Sequence, residues 1–159
     1  MSPATETAPV VKEVQVGVPI ERAWEVFTAG IGGWWPVEMF SVGMERTTDV
    51  QFESREGGRI YERWDDGTEK SWGEVEVWDP PKLVRFTWHP NEDRPAATEI
   101  EVTFTSEGDA TNVRLEHRGW ERLGDVASES RGRYDSGWVK VLDRYAAGSI
   151  SPRRRSVPS

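Results

Sequence analysis

The feature that most constrains the fold of this chain is an alternation of apolar and polar residues that recurs six times after Thr47. The alternating segments are 50–53, 59–64, 71–78, 83–88, 98–105 and 111–117. A period of two is typical of strands that are buried on one face. The connectors between these segments are short and rich in Gly, Asp and Pro, which suits tight turns and excludes parallel crossovers. The pattern therefore predicts a meander of antiparallel strands.

Two shorter patterns precede this meander. Residues 10–16 alternate like a further strand. Residues 19–27 begin with a proline and then carry apolar side chains at helical spacing, which predicts a short helix. The glycine-rich segment 30–36 interrupts that helix or begins a second short one.

A helical stripe ends the pattern, with Asp125 or Ser128 as its expected N-cap and Gly148 as its expected C-cap. Its apolar members are Tyr134, Trp138, Val141, Leu142 and Tyr145. A six- or seven-stranded antiparallel sheet must bury one face, and an amphipathic helix of this kind can cover it. The sequence therefore predicts an α+β fold with one sheet packed against a long C-terminal helix.

The composition limits the organisation and the function. The chain has 159 residues, 36% of them hydrophobic, which predicts one globular domain over residues 10–150 with disordered tails at 1–9 and 151–159. It has no Cys and two His, so neither disulfides nor an ordinary structural zinc site is expected. The net charge of −8 argues against nucleic-acid binding.

Targeting signals are not expected. The first nine residues have neither a basic region nor an apolar core, so they do not resemble a signal peptide. The longest uncharged stretch, residues 26–37, has twelve residues, against the roughly 20 that a membrane-spanning helix needs. We therefore expect a soluble, cytoplasmic protein without a membrane span.

Strand parity predicts which side chains face the helix. The expected inward set on the last three strands is Val84, Phe86, Trp88, Ile100, Val102, Phe104, Val113, Leu115 and His117. On the strand 59–64, Glu62 shares its face with Ile60 and Trp64. Parity places Trp72 outward, but a β-bulge would reverse it, so its side stays open.

Glu62 and His117 are the polar residues with possible chemistry. An inward carboxylate and an inward imidazole in an apolar cavity could orient a ligand or move a proton. The alternative is structural: Glu62 pairs with a neighbouring Arg, and His117 hydrogen-bonds the backbone at a strand end. Asp65 and Asp66 could suggest a metal site, but with Gly67 they are better explained as a hairpin turn.

Several short motifs, in this order of elements, resemble the helix-grip fold of the START/birch-pollen-allergen (SRPBCC) superfamily. Within it, the chain resembles the lone-domain proteins similar to the C-terminal domain of the activator of the heat-shock protein 90 ATPase. The motifs are VPIERAW (18–24), WWP (34–36), GGRI (57–60), WGEV (72–75), DPPKL (79–83), residues 111–120, and Gly137-Trp138 with Leu142. The resemblance spans about residues 10–147. It implies a curved sheet that grips the long helix, two short helices after the first strand, and a cavity that often holds an apolar ligand.

The aromatic segment after the first helix borders the cavity mouth in a helix-grip fold. Trp34, Trp35, Met39 and Phe40 lie in this segment. Aromatic clusters are unusual in loops, which generally run over the surface. These residues therefore either line and gate the cavity or simply pack against the core.

The leading functional prediction is binding of a small hydrophobic molecule, such as a lipid, between the sheet and the C-terminal helix. No catalytic residue, metal or cofactor is predicted. The candidate ligand-binding residues are Trp34, Trp35, Phe40, Ile60, Glu62, Trp64, Phe86, Trp88, Val102, Phe104, Leu115, His117 and Trp138. One alternative is a cyclase-, aromatase- or hydrolase-like enzyme that uses Glu62 and His117. A second, carried by the resemblance, is a co-chaperone-like activator of a chaperone ATPase, with a protein partner that the sequence does not identify.

Overall fold

The computed structural model describes residues 8–37, 40–89 and 97–156. Within these residues, seven antiparallel strands form one sheet in the spatial order β1-β7-β6-β5-β4-β3-β2. The strands are β1 (Val10–Val16), β2 (Thr47–Phe52), β3 (Arg59–Trp64), β4 (Glu69–Asp79), β5 (Leu83–Trp88), β6 (Thr98–Glu107) and β7 (Ala110–Arg118). Helix α1 (Ile20–Phe27) and a 3-10 turn (Ile31–Gly33) follow β1, and the long helix α2 (Ala127–Ser156) follows the sheet. The predicted α+β helix-grip architecture is confirmed.

The inner face of the sheet is the one that strand parity predicted. Every member of the inward set on β5, β6 and β7 is buried, and His117 and Leu115 are fully buried. The outer face carries charged side chains that pair across strands. Arg118, for example, lies 2.9 Å from Glu99 and 3.1 Å from Glu101. Such half-exposed ion pairs contribute little to the free energy of folding, so the stability of the fold comes mainly from the buried inner face.

Two bulges in β4 reverse the parity of its tryptophans. Ile60 pairs with Gly73 and Tyr61 with Ser71, so Trp72 is an extra residue against β3. A second shift against β5 lies between Val75 and Val77. Each bulge changes the face of the residues beyond it. Trp72 is therefore buried inside the fold, and Trp78 also turns inward, with its ring 5.0 Å from the ring of Trp24.

Helix α2 covers the inner face with the predicted stripe. Trp138, Val141, Leu142 and Tyr145 are buried. The Tyr145 hydroxyl donates a hydrogen bond of 2.8 Å to the carbonyl of Ala23 and thereby ties α2 to α1.

The ends of α2 differ from the prediction. The helix begins at Ala127 after a 3-10 segment (Trp120–Val126), so neither Asp125 nor Ser128 is the N-cap. It continues past Gly148, so this glycine is not the C-cap. The missing side chain instead makes room for Trp34, because a Cβ at Gly148 would lie 2.9 Å from the Trp34 Cβ. Among the helices of the described residues, none combines the length and apolarity needed to cross a bilayer.

Candidate ligand-binding cavity

A cavity of about 360 Å³ lies between α2, the inner face of the sheet and the segment that precedes β2. It is lined by Trp35, Phe40, Ser41, Val42, Trp72, Trp88, Arg133, Tyr134, Gly137, Trp138 and Val141. Its volume falls within the range of roughly 300–1,000 Å³ that is usual for small-molecule sites. The cavity is therefore large enough for a ligand and is mostly aromatic.

Four indole rings form a continuous wall of this cavity. The centroid of Trp35 lies 5.0 Å from that of Trp72, 6.0 Å from that of Trp88 and 6.1 Å from that of Trp138. All four indole N–H groups are used within the protein. Trp35 donates to the Phe40 carbonyl and Trp72 to the Glu62 carboxylate. Trp88 donates to the Tyr134 hydroxyl and Trp138 to the His117 ring. These tryptophans therefore offer a ligand their aromatic rings and no indole donor.

The helix side of the cavity is a four-residue face of α2. Tyr134, Gly137, Trp138 and Val141 lie at positions i, i+3, i+4 and i+7, which is one face of a helix. Gly137 has no side chain, and a Cβ there would meet the Phe40 ring at 3.4 Å. The missing side chain thus leaves room in the cavity at the point where α2 approaches the preceding loop.

The Glu62 carboxylate is buried and accepts five hydrogen bonds. Oε1 accepts from the backbone N–H of Val42 and the indole of Trp72, both at 2.7 Å. Oε2 accepts from the backbone N–H of Gly43 at 2.7 Å, the Thr47 hydroxyl at 2.9 Å and the Trp64 indole at 2.6 Å. Two carboxylate oxygens offer about four lone-pair sites, so this group is saturated.

The environment of Glu62 keeps it ionised. Burial alone would raise the pKa of the carboxyl, but the hydrogen bonds from Val42, Trp64, Gly43 and Trp72 outweigh it, and the pKa lies below its usual 4.5. Glu62 therefore fastens the loop that lines the cavity to β3 and β4. It is neither paired with an arginine nor placed to take a proton from a ligand.

His117 is also fully engaged. Its Nδ1 accepts from the Trp138 indole at 3.0 Å, which requires the proton to be on Nε2 because an indole can only donate. Nε2 in turn lies 2.7 Å from the Thr98 hydroxyl, which donates to the Trp88 carbonyl at 3.3 Å. Burial lowers the pKa of His117 to about 3, so the ring is neutral near pH 7. Its role in this geometry is to fix Trp138.

Two polar groups of the cavity lining keep unused capacity. Tyr134 Oη accepts from the Trp88 indole at 3.1 Å, and its own proton has no acceptor among the described residues. Arg133 is exposed and donates to the Ser130 hydroxyl at 3.3 Å. The Ser41 hydroxyl, in contrast, donates to the Val37 carbonyl and accepts from the Met44 N–H. Among the described lining residues, Arg133 and Tyr134 are therefore the ones whose side chains can donate a hydrogen bond to a polar ligand atom.

Four of the thirteen sequence-predicted ligand residues line the cavity, and nine do not. Trp35, Phe40, Trp88 and Trp138 come together at the cavity wall. Trp34 packs elsewhere, against Phe27 and Tyr145, with its indole bonded to the Val26 carbonyl. Trp64 is half-exposed, with Arg46 and Lys70 over its ring. The remaining members are buried in the core and do not line the cavity: Ile60, Glu62, Phe86, Val102, Phe104, Leu115 and His117. Met39 lies outside the described residues.

The other lining residues were not among the predicted ones. Trp72 faces the cavity because of the bulge in β4, and strand parity alone does not reveal a bulge. Tyr134 and Val141 were predicted as members of the helical stripe but not as ligand-binding residues. Gly137 had a usable signal, because a glycine on the buried face of a long helix indicates space beside it. Arg133 had none, since an arginine next to an apolar stripe is usually a solvated side chain.

The curved sheet, the long C-terminal helix and the cavity between them define a helix-grip protein of the SRPBCC class. The family model "Activator of Hsp90 ATPase homolog 1-like protein" matches residues 17–147. The chain therefore belongs to this family, and the resemblance predicted from the motifs is confirmed. No functionally curated protein matches the sequence.

Three solved structures illustrate the range of similar proteins. The anthrahydroquino-γ-pyrone synthase Txn09 is 33% identical, with a TM-score of 0.58, and the match covers 87% of this chain and 94% of that one. The self-sacrificing resistance protein CalC from Micromonospora echinospora is 27% identical, with a TM-score of 0.70 and coverage of 92% and 97%. Protein MLL2253 from Mesorhizobium loti is 22% identical, with a TM-score of 0.64 and coverage of 91% and 97%, and it shows the fold alone. The fold and these neighbours support ligand binding in a hydrophobic cavity as a general property.

Proposed function

We propose that this protein binds a planar, largely apolar small molecule in the cavity under α2. The observation that carries the proposal is the aromatic enclosure: six aromatic side chains line a cavity of about 360 Å³. They are Trp35, Phe40, Trp72, Trp88, Tyr134 and Trp138. Flat aromatic surfaces pack well against a flat ligand through stacked and edge-on contacts.

The size of the cavity supports a ligand of a few fused rings. A cavity of roughly 150 Å³ lined by apolar side chains holds one benzene. The cavity here, at about 360 Å³, is more than twice as large. On that scale it accommodates about two to three fused rings, and its indole faces suit them better than a long flexible chain.

The experiment is a titration with xanthone, a neutral compound of fused aromatic rings, followed by tryptophan fluorescence and by calorimetry. We expect quenching that saturates at one molecule per protein, because the cavity tryptophans lie around a single site. 1-Decanol, which is also neutral but flexible, serves as the comparison and should bind more weakly.

A matched pair of helix variants locates the site. Gly137→Leu places a side chain into the cavity beside Phe40 and should abolish xanthone binding. Gly132→Leu lies on the same helix, where a Cβ meets nothing within 4 Å, and should bind like the wild type. Both variants exchange glycine for a good helix former, so neither should unfold α2. Equal xanthone binding by both variants would falsify the placement of the ligand under α2.

A catalytic reaction in the same cavity is the second candidate, favoured by the 33% identity to a protein named as a synthase. The residues predicted for it, Glu62 and His117, have their polar atoms engaged in the scaffold. A change in the mass of a bound compound, absent in Gly137→Leu, would support this candidate. Activation of a chaperone ATPase, the role that the family description names, stays a prediction for this chain.

A further inference from the structure

We propose that the ligand is an aromatic acid: a planar ring system that carries an ionised oxygen, which Tyr134 and Arg133 bind at the α2 side of the cavity. This inference rests on the proposed function and names its ligand class. Its basis is the unused polar capacity of the side chains in the described lining, which lies on two adjacent residues of one helix.

The hydroxyl of Tyr134 is set as a donor. The Trp88 indole can only donate, so the tyrosine oxygen must accept that bond and its own proton must turn elsewhere. Tyr134 and Trp88 both line the cavity, so the hydroxyl lies at the cavity wall. Burial raises the pKa of the Tyr134 phenol, which keeps the donor protonated at neutral pH. The Tyr134 side chain is half-buried, and a ligand oxygen would give this donor an acceptor inside the cavity.

Arg133 supplies the charge. Among the described residues that line the cavity, it is the one that carries a formal charge. The guanidinium has five N–H donors, and one bond to Ser130 leaves most of them available. No carboxylate of the described residues pairs with it, although the protein has a net charge of −8. A cation that has no carboxylate partner within the described part of an acidic protein, at the edge of an aromatic cavity, is suited to an anionic ligand group.

The two residues together favour an anionic ligand group over a cationic or purely hydrocarbon one. A cationic ligand would meet the positive charge of Arg133, and the described lining residues offer it no anionic side chain. A neutral hydrocarbon would leave the Tyr134 proton without an acceptor. An aromatic carboxylate or phenolate satisfies both groups and keeps its rings against the indoles. Charge-assisted hydrogen bonds of this kind are about twice as strong as neutral ones.

The test compares two probes of the same shape, 2-naphthoate and 2-naphthamide, which differ in the charge of one substituent. We expect the wild type to bind 2-naphthoate about ten-fold more tightly in calorimetry at low salt, as one charge-assisted contact predicts. Arg133→Gln should reduce that preference to about two-fold while it leaves 2-naphthamide affinity unchanged. The control Arg131→Gln removes a nearby arginine of α2 that bonds the Ala8 and Pro9 carbonyls, and it should keep the full preference.

Tyr134→Phe provides the second arm. It removes the hydroxyl and keeps the ring, so the stacking with Trp120 and Trp138 survives. We expect weaker binding of both probes, by about five- to ten-fold, because the amide carbonyl also accepts a hydrogen bond.

The outcomes separate this inference from the proposed function. Equal wild-type affinity for the two probes, with no effect of Arg133→Gln, overturns the aromatic-acid inference and leaves aromatic binding in place. Failure of xanthone and of both naphthalene probes to bind overturns both. A preference for 2-naphthoate that Arg131→Gln also abolishes would reflect the general charge of the helix and would overturn the assignment to Arg133.

Discussion

Replacing Glu62 by glutamine measures how strongly its carboxylate holds the cavity loop. A glutamine keeps one acceptor oxygen and presents an NH2 group in place of the other. If the NH2 group faces the Oε1 partners, the Val42 N–H and the Trp72 indole N–H lose their acceptor and oppose another donor. An unsatisfied buried donor costs about 1–3 kcal/mol, so two of them predict a loss of about 2–6 kcal/mol in the free energy of unfolding.

Urea denaturation near pH 7, followed by far-ultraviolet circular dichroism and fluorescence, gives that free energy. Glu13→Gln is the matched control, because Glu13 lies exposed on β1 with its nearest arginine, Arg114, 3.9 Å away. We expect the control to change stability by less than about 0.5 kcal/mol. Hydrogen exchange at Val42 and Gly43 should also accelerate in Glu62→Gln. A loss below about 1 kcal/mol, with unchanged exchange at both amides, would refute the anchoring role.

Two further predictions concern the scaffold. Because burial lowers the pKa of His117 to about 3 from its ordinary 6.5, the unfolded chain binds the proton first, and stability should decline from pH 6.5 toward 3. His117 contributes up to about 1.4 kcal/mol per pH unit to the slope of the free energy of unfolding against pH. Urea denaturation between about pH 7.5 and about pH 5 should therefore give a shallower slope for His117→Gln than for the wild type. Identical slopes would contradict this account. At the first bulge, Gly73→Ala brings a Cβ against the Thr87 carbonyl oxygen and should cost about 1–3 kcal/mol in thermal or urea unfolding. Gly132→Ala has open space and should be neutral or stabilising by up to about 1 kcal/mol, so equal tolerance of the two changes would disprove the bulge geometry.

The fold was predictable where the sequence alternates strictly. On β5, β6 and β7 the strict period of two determines which side chains point to the inner face, and these side chains are the buried ones. The stripe on α2 was equally clear. On β4 the rule fails because one extra residue in a strand changes the face of everything beyond it. Trp72 could therefore be recognised as a possible exception, but its side depends on the pairing with β3, which the sequence of β4 does not contain.

The candidate site was less predictable than the fold, for a different physical reason. Parity correctly placed Glu62 and His117 inside, but it carries no information about their hydrogen-bond partners. Two donors to Glu62 are backbone N–H groups of an irregular segment, and the donor to His117 is a side chain of α2. Whether a buried polar group is available for chemistry depends on these partners. They come from parts of the chain that are distant in sequence.

The polar groups inside this protein therefore serve two separate purposes, and their hydrogen bonds distinguish them. Glu62 and His117 are saturated, and a saturated buried network is rigid because each bond constrains its neighbours. The two residues fix Trp72 and Trp138, so the aromatic walls are held in place before any ligand arrives. Walls that are already ordered lower the entropy cost of binding. Specificity for the polar end of a ligand is then determined by α2, where the Tyr134 hydroxyl is available as a hydrogen-bond donor. Substitutions at Arg133 or Tyr134 should consequently change which ligand binds, whereas substitutions at Glu62 or His117 should change whether the cavity exists.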